Sequence, residues 1–152
     1  MPRGGFYAIH NSTIRFGRDG NWYADGALIV NSRIADLFSR HVERAPEGGY
    51  RLRIADEKAP ILVDDTPFVV IGVSAVDDRM RIELNDRSQE DLDPATLAIG
   101  ADEVLYCRVK GGAEEARFLR AAYYQLSRHI VAAEHGAFAV RCDGRMWTIG
   151  RR

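Results

Sequence analysis

LFSRHVERAPEGGYRLRI, residues 37–54, recurs in altered form as QLSRHIVAAEHGAFAVRC, residues 125–142, at a constant shift of 88 positions (Ser39 to Ser127) and without a gap. Both stretches carry a Ser-Arg-His triplet and keep the apolar positions of the strand-like part that follows it. A match in both identity and apolar spacing indicates duplication of a helix–strand unit. We therefore predict an α+β fold of two related halves, each a helix with an antiparallel sheet.

Turn and capping residues predict where the helix and strands of the first half begin and end. Asp19-Gly20 is a turn dipeptide between two short β-prone runs, and Asn31 or Ser32 can cap a following helix. Apolar residues at helical spacing predict that this helix continues to a turn at Pro46–Gly49; they are Ile34, Leu37, Phe38, His41 and Val42. Tyr50–Ile54 alternates apolar residues with arginines, which predicts a strand with one buried face.

The rest of the chain predicts a hairpin, a linker and a second half. Phe68–Val76 and Met80–Leu84 read as the hairpin, and the polar, acidic stretch after it reads as the linker. We therefore predict an N-terminal half at 1–84, a linker at 85–98 and a C-terminal half at 99–152. In the C-terminal half, a long helix is predicted after Gly111-Gly112, with Glu114 and Glu115 at its N-terminal end and an apolar stripe beyond.

Composition excludes several functional classes. The 152 residues include 21 basic and 22 acidic side chains, so no global field favours nucleic acid or an anionic membrane. Cys107 and Cys142 form no CxxC pair and are predicted to be core residues in a reducing compartment. The start of the chain lacks the apolar segment of a signal peptide, and no run reaches membrane-spanning length. We expect a cytoplasmic protein without a cofactor; a homo-oligomer is left open.

The repeated histidines invite a catalytic interpretation. His41 and His129 lie at equivalent positions of the repeat, and histidine titrates near neutral pH and ligates metals. However, neither belongs to an HxH or HxxxH pattern, and the chain has no GxSxG or SxxK motif. The alternative is a pair of partly buried histidines kept from the duplicated ancestor. We expect no metal site and assign no catalytic residue.

Arginines on the non-core faces are the better candidates for binding. Arg117 and Arg120 are predicted one helical step apart, where they can face the same way. Together with arginines from the first half they can line a cationic crevice between the halves, suited to phosphate or carboxylate. The alternative is solvated faces with surface ion pairs. Trp22 can stack on a ligand ring or close the small core. The candidate ligand-binding residues are Arg53, Arg117, Arg120, Arg40, Arg128 and Trp22.

Several motifs together resemble a bacterial family, the domain of unknown function numbered 1285 (DUF1285). In the first half they are Arg18–Tyr23, Gly26–Ile29, Leu37-Phe38, Gly49–Leu52 and Ile61–Phe68; in the second they are Tyr106–Val109, Arg117–Tyr124 and Phe138–Gly150. The resemblance implies a duplicated α+β fold whose C-terminal half is pleckstrin-homology-like. It also implies a small, nucleotide-like ligand between the halves and a role in bacterial signalling. No catalytic residues come with the family.

These observations favour one function over two others. The leading prediction is a non-catalytic ligand-binding or regulatory module that holds an anionic, nucleotide-like ligand. The first alternative is an enzyme acting on a small molecule, with His41 or His129 as the acid–base group. The second is a protein-interaction module without a pocket. A polar pocket containing several arginines favours the first function, whereas a flat exposed apolar patch favours the last.

Overall fold

A computed structural model describes residues 12–152, which divide into two compact units. Unit 1 extends to Pro67 and unit 2 is Phe68–Arg152. The structure therefore ends the first unit earlier than the sequence predicts, and residues 85–98 are part of unit 2 and not a linker. This stretch looks like a linker because it is polar, but Asn85 and Leu92 within it are buried and its acidic side chains are hydrogen-bonded in place.

Unit 1 is a six-stranded sheet with one helix. Its elements are β1 (Ile14–Phe16), β2 (Trp22–Ala24), β3 (Ala27–Leu28), α1 (Ser32–Ser39), β4 (Val42–Arg44), β5 (Tyr50–Ile54) and β6 (Glu57–Val63). The strand order is β3-β2-β1-β6-β5-β4, with β1 and β6 parallel and the other neighbours antiparallel. The α+β class is thus correct, and the predicted turn at Asp19-Gly20 joins β1 to β2.

Helix α1 is shorter than its apolar periodicity predicts. The Asn31 side chain caps it by accepting from the backbone N–H groups of Arg33 and Ile34. The helix ends at Ser39, and Val42 already belongs to β4, where it pairs with Leu52 of β5. The predicted continuation toward Pro46 is therefore wrong, because pairing with β5 takes these residues out of the helix.

Unit 2 contains more strands around one helix. Its elements are β7 (Phe68–Val76), β8 (Arg79–Leu84), β9 (Gln89–Asp91), β10 (Ala98–Ile99), β11 (Leu105–Val109), β12 (Glu114–Phe118), α2 (Arg120–Ser127), β13 (Ile130–Ala132), β14 (Phe138–Cys142), β15 (Arg145–Thr148) and β16 (Gly150–Arg151). Short 3₁₀ turns occupy Pro94–Thr96, Ala101–Glu103 and Glu134–Gly136. One sheet has the order β16-β10-β11-β12-β7-β8-β9, and the other is β13-β14-β15.

The long helix predicted after Gly111-Gly112 is wrong in its first part. Residues 114–118 form strand β12, which pairs with β11 on one side and with β7 on the other. Burial alternates along β12, with Ala116 and Phe118 inside. The apolar spacing is compatible with either structure, and pairing on both sides of the strand selects the extended one. Helix α2 begins only at Arg120.

The two units share element bounds in the repeated region. A shift of 88 (residue 32 to 120) carries α1 onto α2, β4 onto β13 and β5 onto β14, each with identical limits. Pairing follows the same shift, since Val42 faces Leu52 in unit 1 and Ile130 faces Val140 in unit 2. The register of β5 with β6 also matches that of β14 with β15. The correspondence therefore extends from sequence to register.

A second correspondence links the β1–β2 ribbon to the β10–β11 ribbon. Phe16 faces Trp22 in unit 1, and Ile99 faces Leu105 in unit 2, which gives a shift of 83 (residue 16 to 99). In both units the first strand of the ribbon also pairs in parallel with the strand that ends the repeat, β6 in unit 1 and β16 in unit 2. The matching order of strands thus covers most of unit 1.

A glycine beside a tyrosine ring marks both ribbons. A Cβ on Gly17 would lie 3.0 Å from a ring carbon of Tyr23, and a Cβ on Gly100 would lie 2.7 Å from a ring carbon of Tyr106. Both distances are too short for ordinary carbon contacts, so each position requires glycine for the ring to lie there. The two glycine–tyrosine pairs occur at the same place in their ribbons and support the 83-residue correspondence.

The cores confirm the predicted strand faces. Leu52 and Ile54 of β5 are buried, as are Val140 and Cys142 of β14, while Arg53 on the opposite face is exposed. The prediction that both cysteines are core residues is also correct, since Cys107 and Cys142 are buried and free. Burial, reinforced by nearby acidic side chains, raises the pKa of the Cys107 thiol to about 12. This thiol therefore stays protonated at neutral pH and is a poor nucleophile.

Candidate functional site

Two of the predicted arginines line one cavity in unit 2. The cavity has a volume of about 360 Å³, and we call it the arginine cavity. Its walls are Asp102, Glu103, Val104, Leu105, Arg117, Phe118, Arg120, Tyr123 and Tyr124. Its lining therefore combines guanidinium groups, carboxylates and aromatic rings, and it is more highly charged than the mostly apolar lining of a typical small-molecule site.

The turn from β12 into α2 brings the two arginines together. Arg117 belongs to β12 and faces Tyr106 of β11 and Val69 of β7, so its backbone is fixed on both sides. The backbone N–H of Leu119 donates to Val70, and Arg120 then opens the helix. The predicted helical spacing of the arginines is thus wrong, but their predicted proximity is correct because a strand-to-helix turn replaces the helical step.

Carboxylates balance the charge of the arginine cavity. Asp102 and Glu103 come from the 3₁₀ turn before β11, and both have left-handed backbone angles, φ 57° and 60°. Such angles are uncommon for residues other than glycine, and this turn holds both carboxylates in the same lining as Arg117 and Arg120. The lining therefore offers guanidinium groups that suit an anionic group and carboxylates that suit a hydroxyl or amino donor.

Two tyrosines supply aromatic surface at the mouth. Tyr123 and Tyr124 follow each other on α2 with ring centroids 5.9 Å apart, and their exposed fractions are 37% and 58%. Exposed aromatic rings of this kind can stack on a planar ligand. Neither tyrosine is among the candidates predicted from the sequence, where Tyr123 is part of the apolar stripe of a longer helix.

An apolar cavity adjoins the arginine cavity. Its volume is about 200 Å³, and we call it the apolar cavity. Its lining residues are Ile99, Glu103, Leu105, Tyr123, Ser127, Ile130, Ala132, Phe138 and Ile149. Glu103, Leu105 and Tyr123 also line the arginine cavity, so the two volumes share a wall. The sequence analysis did not predict this cavity.

The remaining candidate arginines lie outside these two cavities. Arg53 is exposed on β5 opposite Lys58, and Arg40 is the exposed C-cap residue of α1. Arg128 occupies the same capping position on α2 and is also exposed. None of the three lines either cavity. The structure of unit 2 therefore brings together Arg117 and Arg120 only.

Trp22 is a core residue of unit 1 and not a ligand-stacking residue. Only 1% of its surface is exposed, and its ring packs on Phe16 and Phe38 with centroid distances of 4.8 and 5.5 Å. Its Nε1–H donates to the buried Ser39 hydroxyl at 2.9 Å. The interpretation as a core-closing ring is therefore correct, and the assignment to the ligand site is wrong because no face of the ring is open.

The repeated histidines follow their helices and do not line either cavity. The Nδ1 atom of His41 lies 2.7 Å from the carbonyl oxygen of Leu37, and the backbone N–H of His129 donates to Leu126. In residues 12–152 no group of three or more histidine, cysteine or acidic residues is arranged to hold a metal ion.

Lys110-Gly111-Gly112 lies in the turn between β11 and β12. The Nζ of Lys110 donates to Asp86 at 2.6 Å, and the backbone N–H of Lys110 lies 3.3 Å from both carboxylate oxygens of Glu90. Burial tends to raise the pKa of Asp86, but hydrogen bonds from Lys110 and Ser88 outweigh burial and lower it below the ordinary value. Carboxylates of the chain itself therefore occupy the donors of this turn.

Across residues 12–152, no helix has the length and apolarity needed to cross a membrane.

Two solved structures have the same fold. A DUF1285 family protein from Silicibacter pomeroyi DSS-3 is similar with a TM-score of 0.71 and 23% sequence identity, over 91% of this chain and 79% of that chain. A DUF1285 family protein from Shewanella baltica OS155 is similar with a TM-score of 0.61 and 17% identity, over 78% of this chain and 92% of that chain. No family model and no curated protein sequence matches the chain. The resemblance to DUF1285 proteins is thus confirmed in the fold.

Proposed function

We propose that this protein is a non-catalytic ligand-binding module whose unit 2 holds a small anionic ligand in the arginine cavity. The observation that carries the proposal is the convergence of Arg117 and Arg120, from a strand and a helix, on one cavity that also contains aromatic rings. A guanidinium group offers a planar fork of donors that matches carboxylate and phosphate oxygens.

The lining also restricts the ligand. Asp102 and Glu103 oppose a ligand that is anionic throughout, so one carboxylate or phosphate at the arginine side, with a donor or an apolar body elsewhere, fits best. A nucleotide-like ligand supplies the anionic group through its phosphate and can stack its base on Tyr123 or Tyr124. Aromatic carboxylates and aryl phosphates also supply one anionic group, and they carry fewer other polar atoms.

Three broader features are part of the proposal. We infer that the two units derive from one duplicated unit, supported by the shared pairing registers at shifts of 88 (residue 32 to 120) and 83 (residue 16 to 99). The pleckstrin-homology-like character of the C-terminal half is supported by a seven-stranded sheet with α2 beside it. A regulatory role in bacterial signalling is consistent with binding without turnover and is part of the same proposal.

Titration calorimetry with phenyl phosphate, benzoate and adenosine monophosphate tests the proposal. We expect binding of at least one probe, weakened by added salt and by roughly tenfold in Arg117→Lys, since lysine keeps the charge but loses the fork. Arg120→Lys should weaken the same probe. Arg128→Lys is the matched control, because Arg128 lies at the far end of the same helix and lines neither cavity.

Two results would contradict this function. One is the absence of binding by all three probes at low salt, and the other is equal affinity in wild type and Arg117→Lys. Consumption of a probe during titration would instead favour the enzymatic alternative.

A further inference from the structure

The helix–sheet interface is filled in unit 1 and hollow at the corresponding place in unit 2. The 83-residue shift pairs Trp22 with Leu105 and Phe16 with Ile99, and the 88-residue shift pairs Ser39 with Ser127. In unit 1 the indole occupies the interface. In unit 2 the smaller Leu105 and Ile99, together with Ser127, line the apolar cavity of about 200 Å³.

We propose that the apolar cavity of unit 2 binds an indole-type ring, a bicyclic aromatic group whose ring N–H donates to the Ser127 hydroxyl. The ligand takes the place that the Trp22 side chain fills in unit 1, where Nε1–H donates to Ser39 Oγ at 2.9 Å. Leu105, Ile99 and Ser127 are the counterparts of the indole, of its aromatic neighbour Phe16 and of its hydrogen-bond acceptor.

The size of the apolar cavity fits a bicyclic ring. An engineered apolar cavity of about 150 Å³ is known to stay dry and to bind benzene. The apolar cavity here is larger, at about 200 Å³, and most of its lining is aliphatic or aromatic. Burial of a largely apolar ring in such a lining is favourable, whereas the several polar edges of a purine would lose their hydration without partners.

Hydrogen bonding selects a donor on the ring. The Ser127 hydroxyl donates its proton to the carbonyl oxygen of Tyr124 at 2.7 Å, so its oxygen is left as an acceptor. A ring N–H satisfies that acceptor, while a ring nitrogen without a proton does not. The chemistry of the site therefore favours indole over isosteric rings that have no donor.

The wall shared by the two cavities indicates where the acidic group of the ligand lies. Because Glu103, Leu105 and Tyr123 line both cavities, a ring in the apolar cavity can extend a short arm into the arginine cavity. There Arg117 and Arg120 favour an acidic group on the arm, whereas Glu103 opposes one. This assignment of a ligand class, an indole-bearing carboxylic acid, rests on the proposed function. The ring site itself rests only on the apolar cavity.

The test compares neutral indole with benzothiophene, which has the same shape but no N–H, by titration calorimetry on the full chain. In Ser127→Ala we expect indole affinity to fall about fivefold and benzothiophene affinity to stay unchanged. Ser39→Ala is the matched control at the counterpart position of unit 1 and should change neither affinity. Leu105→Trp, which restores the residue found in unit 1, should abolish binding of both probes.

Failure of this inference is separable from failure of the proposed function. If phenyl phosphate binds in an Arg117-dependent manner but neither neutral probe binds up to its solubility limit, the ring site is overturned and the arginine site stands. Indole binding that survives both Ser127→Ala and Leu105→Trp would place the ring elsewhere and overturn the inference. If the Leu105→Trp variant does not fold, the inference is tested by the loss of indole affinity relative to benzothiophene affinity in Ser127→Ala.

Discussion

Single residues distinguish the helix–sheet interface of unit 1 from that of unit 2. Trp22 and its two aromatic neighbours fill the interface of unit 1, while Leu105 and Ile99 at the corresponding positions leave about 200 Å³ open in unit 2. Lost contacts and an open volume are costly in a protein interior. The open volume at this place in unit 2 is therefore consistent with a binding role.

Burial at one strand position provides a stability prediction. Leu52 is 1% exposed on the core face of β5, whereas its neighbour Arg53 is exposed on the other face. Leu52→Ala should lower the free energy of unfolding by about 2–5 kcal/mol through lost burial and a residual cavity. Urea unfolding measures the loss, and Arg53→Ala, expected within about 0.5 kcal/mol of wild type, is the control. Equal effects of the two variants would mean that the strand face is assigned wrongly.

The proximity of Arg117 and Arg120 could be predicted from the sequence, but the residues around these two candidates could not. Arg117 and Arg120 stood out because they lie close together on a non-core face, which holds in a strand-to-helix turn as well as in a helix. Leu105 could not be predicted as a cavity residue from its own sequence context, since a leucine in an apolar run is typical of a core residue. The usable signal was the equal spacing of Gly17 to Tyr23 and Gly100 to Tyr106, which aligns Trp22 with Leu105.

At the scale of elements, the sequence was most informative where local chemistry dominates. The hairpin Phe68–Val76 with Met80–Leu84 and the Asn31 cap formed as predicted, apart from β8 starting one residue earlier. Helix lengths were overestimated because apolar residues at helical spacing also suit a strand. Pairing of β4 with β5 and of β12 with two neighbours depends on distant residues, which no local window contains.

The Lys110 turn gives a prediction about pH. Lys110 Nζ donates to Asp86 and lies 5.0 Å from the centre of the Phe68 ring, so it joins the β8–β9 turn to the β11–β12 turn. Lys110→Met should lower the free energy of unfolding at pH 7 by about 1.5–3 kcal/mol, the usual contribution of a hydrogen bond to a charged group. The pKa of Asp86 is lowered in the folded chain.

The direction of the pH effect follows from that lowered pKa. The contribution of Asp86 is fully present above the ordinary carboxyl pKa and is lost as pH falls through the lower pKa of the folded state. The stability difference between wild type and Lys110→Met should therefore shrink below about pH 4. Chemical unfolding at several pH values measures it. A difference that stays constant from pH 7 to pH 3 would show that the ion pair does not stabilise the fold.

At the scale of the whole molecule, each unit has the same arrangement of ribbon, helix and hairpin, and unit 2 adds β7, β8 and β9 to it. The added strands explain why the sequence boundary was misplaced. Their hairpin follows the first copy directly and looks like its last part, although β7 pairs with β12 of unit 2. Because β7 and β12 are far apart in the sequence, their pairing is determined by the fold and not by the composition of the hairpin.

One measurement tests the central claim, that the ligand binds in the cavities of unit 2 and not at the corresponding positions of unit 1. Uniformly ¹⁵N-labelled protein is titrated with indole-3-acetate, and the backbone amide resonances are followed. The account predicts saturable shifts at Tyr123, Ser127 and Ala132 of unit 2 and none at their counterparts in unit 1, which are Ala35, Ser39 and Arg44. Saturable shifts confined to the unit 1 positions, or no saturable shift anywhere, would contradict it.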